Sequence, residues 1–140
     1  MFYYVESEVA GALGKGTLID TSCHPPIVNI LEYEFYGWLG DALLESFPCF
    51  VITDELAATL LSCNFTGFEV GTVTITASEQ FKQFYPAHAL PAFVRLNVHG
   101  IAGHSDFGTA ADGRLVVSAR ALKVLEQFAL NHAEIDPFPN

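Results

Sequence analysis

The chain has 140 residues, of which 51% are hydrophobic, and its sixteen acidic and six basic residues give a net charge of −10. This length suits one domain, the apolar content excludes a disordered chain, and the charge disfavours nucleic acid and anionic membranes as partners. No apolar run approaches the roughly 20 residues of a transmembrane helix. The first residues lack the basic start of a signal peptide, and the three cysteines form no CxxC pair, so we expect a cytoplasmic protein with reduced thiols.

Two segments in the amino-terminal third alternate apolar and acidic residues. This period of two, over residues 2–9 and 27–36, predicts two strands. Residues two apart on a strand share a face, so each strand presents a pair of carboxylates. The pairs are Glu6 with Glu8 and Glu32 with Glu34.

The second of these strands ends at a glycine-bounded turn, Gly37-Trp38-Leu39-Gly40. Asp41 follows, and aspartate is a favoured helix N-cap. The sequence therefore predicts a short helix over residues 42–46, which ends before Pro48.

Two segments of the chain share one pattern. Residues 50–70 and 115–135 align without a gap at an offset of 65. Each has an apolar triplet, a hydroxyl residue suited to cap a helix (Thr53 or Ser118), an apolar stripe at helical spacing, and a turn. The pattern predicts two strand–helix–strand units in a single α+β domain, residues 1–140, with a mixed β-sheet.

The region between the two units is predicted to hold a strand at 73–77, a short helix that begins near Ser78, and a strand at 93–99. A long polar loop follows at 100–113, and such loops are often functional. Three potential zinc ligands lie at its start or within it: His99, His104 and Asp106. Imidazole and carboxylate groups bind zinc, but this spacing matches no metal signature. A small-molecule or metal-binding protein or enzyme that uses the 99–113 loop is one alternative, and a solvated loop is another.

Neither the carboxylate pairs nor the cysteines form a recognisable catalytic motif. A glycosidase-like pair of acids is conceivable, but two acids on a solvated strand face are far commoner. The sequence also lacks the short motifs of serine hydrolases and of helical zinc sites. We therefore expect no enzyme, and we predict no catalytic residue, cofactor or metal.

The carboxyl-terminal half resembles a known family. Asp106-Phe107-Gly108, the run LVVSARAL from Leu115, and NHAEI from Asn131 are similar to the carboxyl-terminal signature of small immunity-type proteins of bacterial polymorphic toxin systems. These include the double-CxxCG motif proteins, and the resemblance covers about residues 45–137. Because this chain has no CxxC pair, no zinc role is implied. The resemblance implies a non-enzymatic cytoplasmic protein that binds and neutralises a cognate toxin.

The acidic charge suggests how such a toxin would be bound. Many toxins of these systems are basic nucleases, and a face rich in carboxylates can occupy a basic cleft. The predicted contact residues are the acids Glu6, Glu8, Glu32, Glu34, Asp41 and Glu45, with Tyr33, Tyr36 and Trp38 as aromatic anchors. The remaining alternative is a structural module that forms homodimers or larger oligomers through an exposed strand edge.

Overall fold

The computed structural model describes residues 1–84 and 90–139, and this part of the chain contains thirteen strands and three helices. In chain order they are β1 (Phe2–Glu6), β2 (Gly11–Leu13), β3 (Leu18–Asp20), β4 (Ile27–Ile30), β5 (Glu32–Phe35), β6 (Leu43–Ser46), β7 (Cys49–Thr53), α1 (Asp54–Ser62), β8 (Phe68–Gly71), β9 (Thr74–Ala77), α2 (Glu79–Phe84), β10 (Phe93–Val98), β11 (Phe107–Thr109), β12 (Leu115–Ser118), α3 (Ala119–Leu125) and β13 (Glu134–Pro137). The α+β class is confirmed. None of the described helices is long and apolar enough to cross a membrane.

Two four-stranded antiparallel sheets form the centre of the fold. Their strand orders are β11-β12-β1-β13 and β6-β7-β10-β8. Residues 49–71 form β7, α1 and β8, and residues 115–137 form β12, α3 and β13. In each segment the two strands run parallel, with a third strand (β10 or β1) paired antiparallel between them.

The two helices of these segments begin at the residues that the sequence indicates. The hydroxyl of Thr53 accepts a hydrogen bond from the backbone N–H of Leu56 at 3.3 Å. The hydroxyl of Ser118 does the same for Ala121 at 3.1 Å. These bonds satisfy N–H groups of the first turn, which have no partner within the helix.

Strand β7 is buried on both faces. Phe50 and Ile52 point into the main core, which both four-stranded sheets and the helices α1 and α3 share. Cys49 and Val51, on the opposite face, belong to a second core around Tyr33 and Phe35 of β5 and Phe81 of α2. A strand covered on both faces reads as a continuous apolar run, as residues 49–52 do.

The described strands form four sheets and not one, and the predicted mixture of parallel and antiparallel pairing occurs in the three-stranded sheet β2-β5-β9. The predicted strand 27–36 divides at the buried Leu31. Among the described strands, the first part, β4, pairs with β3 alone in a two-stranded ribbon, whereas β5 pairs antiparallel with β2 and parallel with β9. The division lets β5 cover the second core while the ribbon projects from it.

The predicted helix over residues 42–46 is also wrong. Residues 43–46 form β6, which pairs antiparallel with β7 in the register Leu43↔Ile52 to Ser46↔Cys49. Five residues are too few for a stable isolated helix. Pairing with β7 satisfies the backbone and buries Leu43 and Leu44.

Candidate protein-binding surface

Two buried carboxylates hold the loop that follows β5. Glu8 accepts a hydrogen bond at Oε2 from the backbone N–H of Leu39 (2.6 Å) and at Oε1 from that of Asp41 (3.2 Å). Glu8 and Asp41 are both buried. They therefore support the loop from beneath and are not available to contact a partner, contrary to the sequence prediction.

Asp41 also joins this loop to the carboxyl-terminal part of the chain. Its oxygens accept hydrogen bonds from the backbone N–H groups of Asn131 (3.0 Å) and His132 (2.8 Å), and the imidazole Nδ1 of His132 lies 3.1 Å from Oδ1. Asp41 thus caps the turn before β13 and not a helix after itself. Nothing in the sequence pattern indicates a contact between residues 90 positions apart.

These residues form a compact group of potential metal ligands. In the described residues 1–84 and 90–139, one ligand atom from each of Glu8, Asp41 and His132 lies within 4.8 Å of the others. Backbone N–H groups, however, already donate to both carboxylates. The observed contacts therefore give the group a structural role, which is to fix the loop above it.

An apolar cleft of about 390 Å³ is bordered by Glu8 and lined by side chains of this loop and of the segment after β1. Val9 and Leu39 are each 66% exposed, and Tyr36 is 52% exposed. With Trp38, these residues are called the apolar cleft below. Contiguous exposed apolar side chains are characteristic of protein interaction sites.

Trp38 is the fixed element of the apolar cleft. Its indole Nε1 donates a hydrogen bond to the carbonyl of Asp41 at 3.0 Å, and its ring packs edge-on against Phe93 with centroids 5.9 Å apart. Gly40 has a φ of +106°, which glycine adopts without strain and which turns the chain back towards β6. The indole is thus held by a hydrogen bond and a ring contact, while part of it remains exposed.

The rim of the apolar cleft is acidic. The hydroxyl of Tyr36 donates a hydrogen bond to Oε1 of Glu34 at 3.2 Å. The negative charge of Glu34 is the main cause that raises the pKa of Tyr36 above its ordinary value. Glu34, Tyr36 and Trp38 are therefore three predicted contact residues that the fold brings to one surface.

Tyr33 and Glu6 lie elsewhere. Tyr33 is fully buried, its hydroxyl accepting from the N–H of Ala10 and donating to the carbonyl of Glu45, both at 3.0 Å. Burial raises the pKa of Tyr33 to about 12. It faces the second core, opposite Glu32 and Glu34, so it cannot act as a surface anchor. Glu6 lies on β1, in the sheet β11-β12-β1-β13, whereas Glu34 lies on β5 in a different sheet.

Glu45 and Glu32 bind other parts of the chain. Oε1 of Glu45 accepts from the backbone N–H (2.7 Å) and the hydroxyl (2.9 Å) of Ser7. Glu32 accepts from the N–H of Gly16 (3.2 Å) and the hydroxyl of Thr76 (3.3 Å). Both carboxylates are half-buried and act as internal acceptors. The six acids predicted to form one carboxylate-rich contact face therefore do not lie together on one surface.

The alternative site in the 99–113 loop is organised around its carboxylate. Asp106 accepts from the N–H of Thr66 (3.0 Å), the hydroxyl of Ser118 (2.7 Å) and the guanidinium of Arg120 (3.1 Å). Burial opposes ionisation, but these hydrogen bonds and the charge of Arg120 outweigh it and lower the pKa of Asp106. The loop's two histidines are exposed, and within the described residues they do not join a group of three metal ligands.

A second apolar surface lies on the ribbon of β3 and β4. Its exposed side chains, between 43% and 56% accessible, are Leu18, Ile19, Ile27 and Ile30. Val28 is buried and anchors the ribbon in the second core. The sequence pattern does not predict β3, because its three residues, Leu18–Asp20, are too few to show an alternation of apolar and polar side chains.

Comparison with known proteins gives no family assignment. Protein-family models, curated proteins and solved structures were each compared with this chain, and none matches. The chemistry of the surface residues is therefore the basis for assigning a function.

Proposed function

We propose that this protein is a non-enzymatic immunity protein that binds and neutralises a cognate protein toxin with a basic surface. The apolar cleft is its main contact surface. The observation that carries this proposal is the exposure of Val9, Tyr36 and Leu39 around a fixed Trp38. Aromatic residues in such settings supply much of the binding energy of protein interfaces.

The rigidity of the apolar cleft supports this assignment. Glu8 fixes the backbone of Leu39, and the carbonyl of Asp41 accepts from Trp38. Ordering a flexible side chain on binding costs about 0.5–1.5 kcal/mol. A surface that the fold already holds in place avoids much of this cost, which favours the tight binding that toxin neutralisation requires.

The charge of the chain supports a basic partner. The net charge is −10, and Glu34 stands at the rim of the apolar cleft beside Tyr36. Complementary charge speeds the encounter of two proteins and makes their association depend on salt. The rim carboxylate of Glu34, together with the net negative charge, therefore sets how fast the partner is captured, while the apolar side chains set how long it stays.

We also propose that the two strand–helix–strand segments are copies of one unit that serves as the scaffold. In both, a hydroxyl residue caps the helix, and the two strands flank a third, antiparallel strand. Neither copy contributes a residue to the apolar cleft. The contact surface is thus built from segments outside the units.

Capture of a partner from extracts of the native host tests the proposal. The bait is the full chain, with Leu39→Asp as the test variant and Leu61→Asp as its control, because Leu61 is 58% exposed on α1, outside the apolar cleft. We expect wild type and Leu61→Asp to retain a basic protein that is toxic when expressed alone, and Leu39→Asp to lose it. Equal retention by all three baits would exclude the apolar cleft as the contact surface.

Self-association through the ribbon of β3 and β4 is a second candidate function. Its exposed Leu18, Ile19, Ile27 and Ile30 favour this reading, since a solvated two-stranded ribbon is marginally stable by itself. Sedimentation of the purified chain distinguishes the two. A stable dimer that Ile30→Asp dissociates would favour an assembly module, whereas a monomer would exclude it.

A further inference from the structure

A second cleft, of about 590 Å³, lies on another part of the molecule. The segment between β3 and β4, the strand β10 and the loop around β11 form its walls, and it shares no lining residue with the apolar cleft. The lining residues that matter here are His24, Pro25, Ile27, Arg95, Asn97 and Thr109. Apolar and polar groups thus surround the guanidinium of Arg95.

Arg95 is the unusual member of this cleft. It lies on β10, half-buried, in the face of the sheet that carries Cys49. One Nη donates to the carbonyl of Val28 at 2.7 Å, and the other lies 3.8 Å from the sulfur of Cys49. Its Nε is buried and has no hydrogen-bond partner. The guanidinium has five N–H donors, so these contacts leave it poorly satisfied.

The charge of Arg95 is also uncompensated. Across the described residues 1–84 and 90–139, no carboxylate forms an ion pair with it. Glu69 pairs in register with the neighbouring Asn97, but its side chain is exposed. A cation that is partly removed from water without a counter-charge is costly.

The other basic residues have a different environment. Lys82, Arg114 and Arg120 each pair with a carboxylate, and Lys15 and Lys123 are exposed to solvent. In a chain with sixteen acidic residues, Arg95 therefore combines partial burial with the lack of an acidic partner.

The thiol of Cys49 does not supply the missing charge. Burial raises its pKa, although the positive charge of Arg95 acts in the opposite direction. The sulfur therefore remains a neutral thiol near pH 7 and offers only a weak acceptor. Among the described residues, therefore, neither this thiol nor a carboxylate pairs its charge with Arg95.

We propose that this cleft binds a small molecule that carries an oxyanion, either a carboxylate or a phosphate group, at Arg95. The amide of Asn97 and the hydroxyl of Thr109 offer neutral donors in the same cleft, and Pro25 and Ile27 offer an apolar wall for the rest of the molecule. Arginine suits this ligand because its planar fork matches the geometry of both anions. The site is independent of the apolar cleft.

Calorimetric titration of the full chain tests the proposal. The probes are inorganic phosphate and, separately, succinate, at a constant ionic strength set with sodium chloride. We expect saturable binding of at least one probe, and the probe that binds identifies the anion class. Arg95→Gln should weaken this binding at least about tenfold, because a charge-assisted contact is lost. Arg120→Gln, which removes an exposed cation outside the cleft, should not change it.

A second variant keeps the test decisive if loss of the Arg95–Val28 bond prevents folding. Asn97→Asp places a carboxylate two residues from Arg95 on the same face of β10. The new carboxylate should offset the positive charge of the guanidinium, leave the fold intact and reduce the binding of the probe at least about tenfold. Absence of saturable binding of both probes to the wild type, or unchanged binding in Asn97→Asp, would overturn the proposal.

Discussion

Replacing Asp41 with alanine should destabilise the fold strongly, although the substitution removes a charge from the protein interior. The carboxylate is fully buried and accepts backbone hydrogen bonds from Asn131 and His132, at 3.0 and 2.8 Å. It also lies near a second buried carboxylate, that of Glu8. Two effects therefore compete: loss of the hydrogen bonds destabilises the protein, and relief of charge repulsion stabilises it.

The hydrogen bonds should dominate. Leaving a buried N–H group unpaired costs about 1–3 kcal/mol, which gives roughly 2–6 kcal/mol for two groups. Because Asn131 and His132 are exposed residues, water will replace part of the loss, so we expect about 2–3 kcal/mol. Domains have a total stability of about 5–15 kcal/mol, so this loss is a large fraction of it. At a urea slope of about 2 kcal/mol per molar, the urea midpoint should fall by roughly 1–1.5 M.

Equilibrium urea unfolding, followed by the fluorescence of the single tryptophan, measures this change. Glu79→Ala is the matched control, because it removes an acid that is 94% exposed on α2 and should leave the midpoint unchanged. An Asp41→Ala midpoint equal to or above that of the wild type would show that repulsion from Glu8 exceeds the hydrogen bonds. Asp41 would then not stabilise the loop through these hydrogen bonds.

Three further outcomes follow from the same contacts. Burial raises the pKa of Tyr33 to about 12, compared with about 10 in the unfolded chain, so its contribution to stability is complete below pH 10 and is lost as the pH rises towards 12. Urea unfolding between pH 9 and 12 should show this loss of stability in the wild type and a smaller loss in Tyr33→Phe. Thr53→Ala should cost about 0.5–2 kcal/mol in unfolding free energy, and Ser118→Ala more, because Ser118 also donates to Asp106; an equal cost would exclude that second contribution. In stopped-flow measurements, Glu34→Lys should slow association with a basic partner and flatten its salt dependence, and an unchanged rate would remove Glu34 from the contact rim.

The sequence predicts the local features of this fold well. The hydroxyl residues Thr53 and Ser118 mark the starts of α1 and α3 because an N-cap acts within a few residues. The alternation over residues 32–35 also appears in the structure, with Tyr33 and Phe35 inward. The period separates the two faces of a strand but does not indicate which face is covered, so the prediction of Tyr33 as a surface anchor is wrong.

Features that depend on distant partners could not be read from the sequence. Residues 43–46 become a strand because β7 lies beside them, and nothing within that segment indicates this neighbour. Likewise, a solvated carboxylate and a buried one look identical in a sequence. Glu8 and Asp41 are buried because they cap backbone groups of other segments, the farthest of which is 91 positions away. Of the predicted contact residues, Glu34, Tyr36 and Trp38 lie together at the apolar cleft.

The affinity of the full chain for the captured basic toxin, compared between Leu39→Asp and Leu61→Asp by calorimetry, tests the central claim most directly. Both substitutions place a carboxylate at an exposed leucine, so they change the net charge equally. If the apolar cleft is the contact surface, Leu39→Asp should weaken binding by about 30-fold or more, the loss typical of a hot-spot residue, and Leu61→Asp should bind like the wild type. Equal affinities for the two variants would contradict the claim that the apolar cleft is the contact surface.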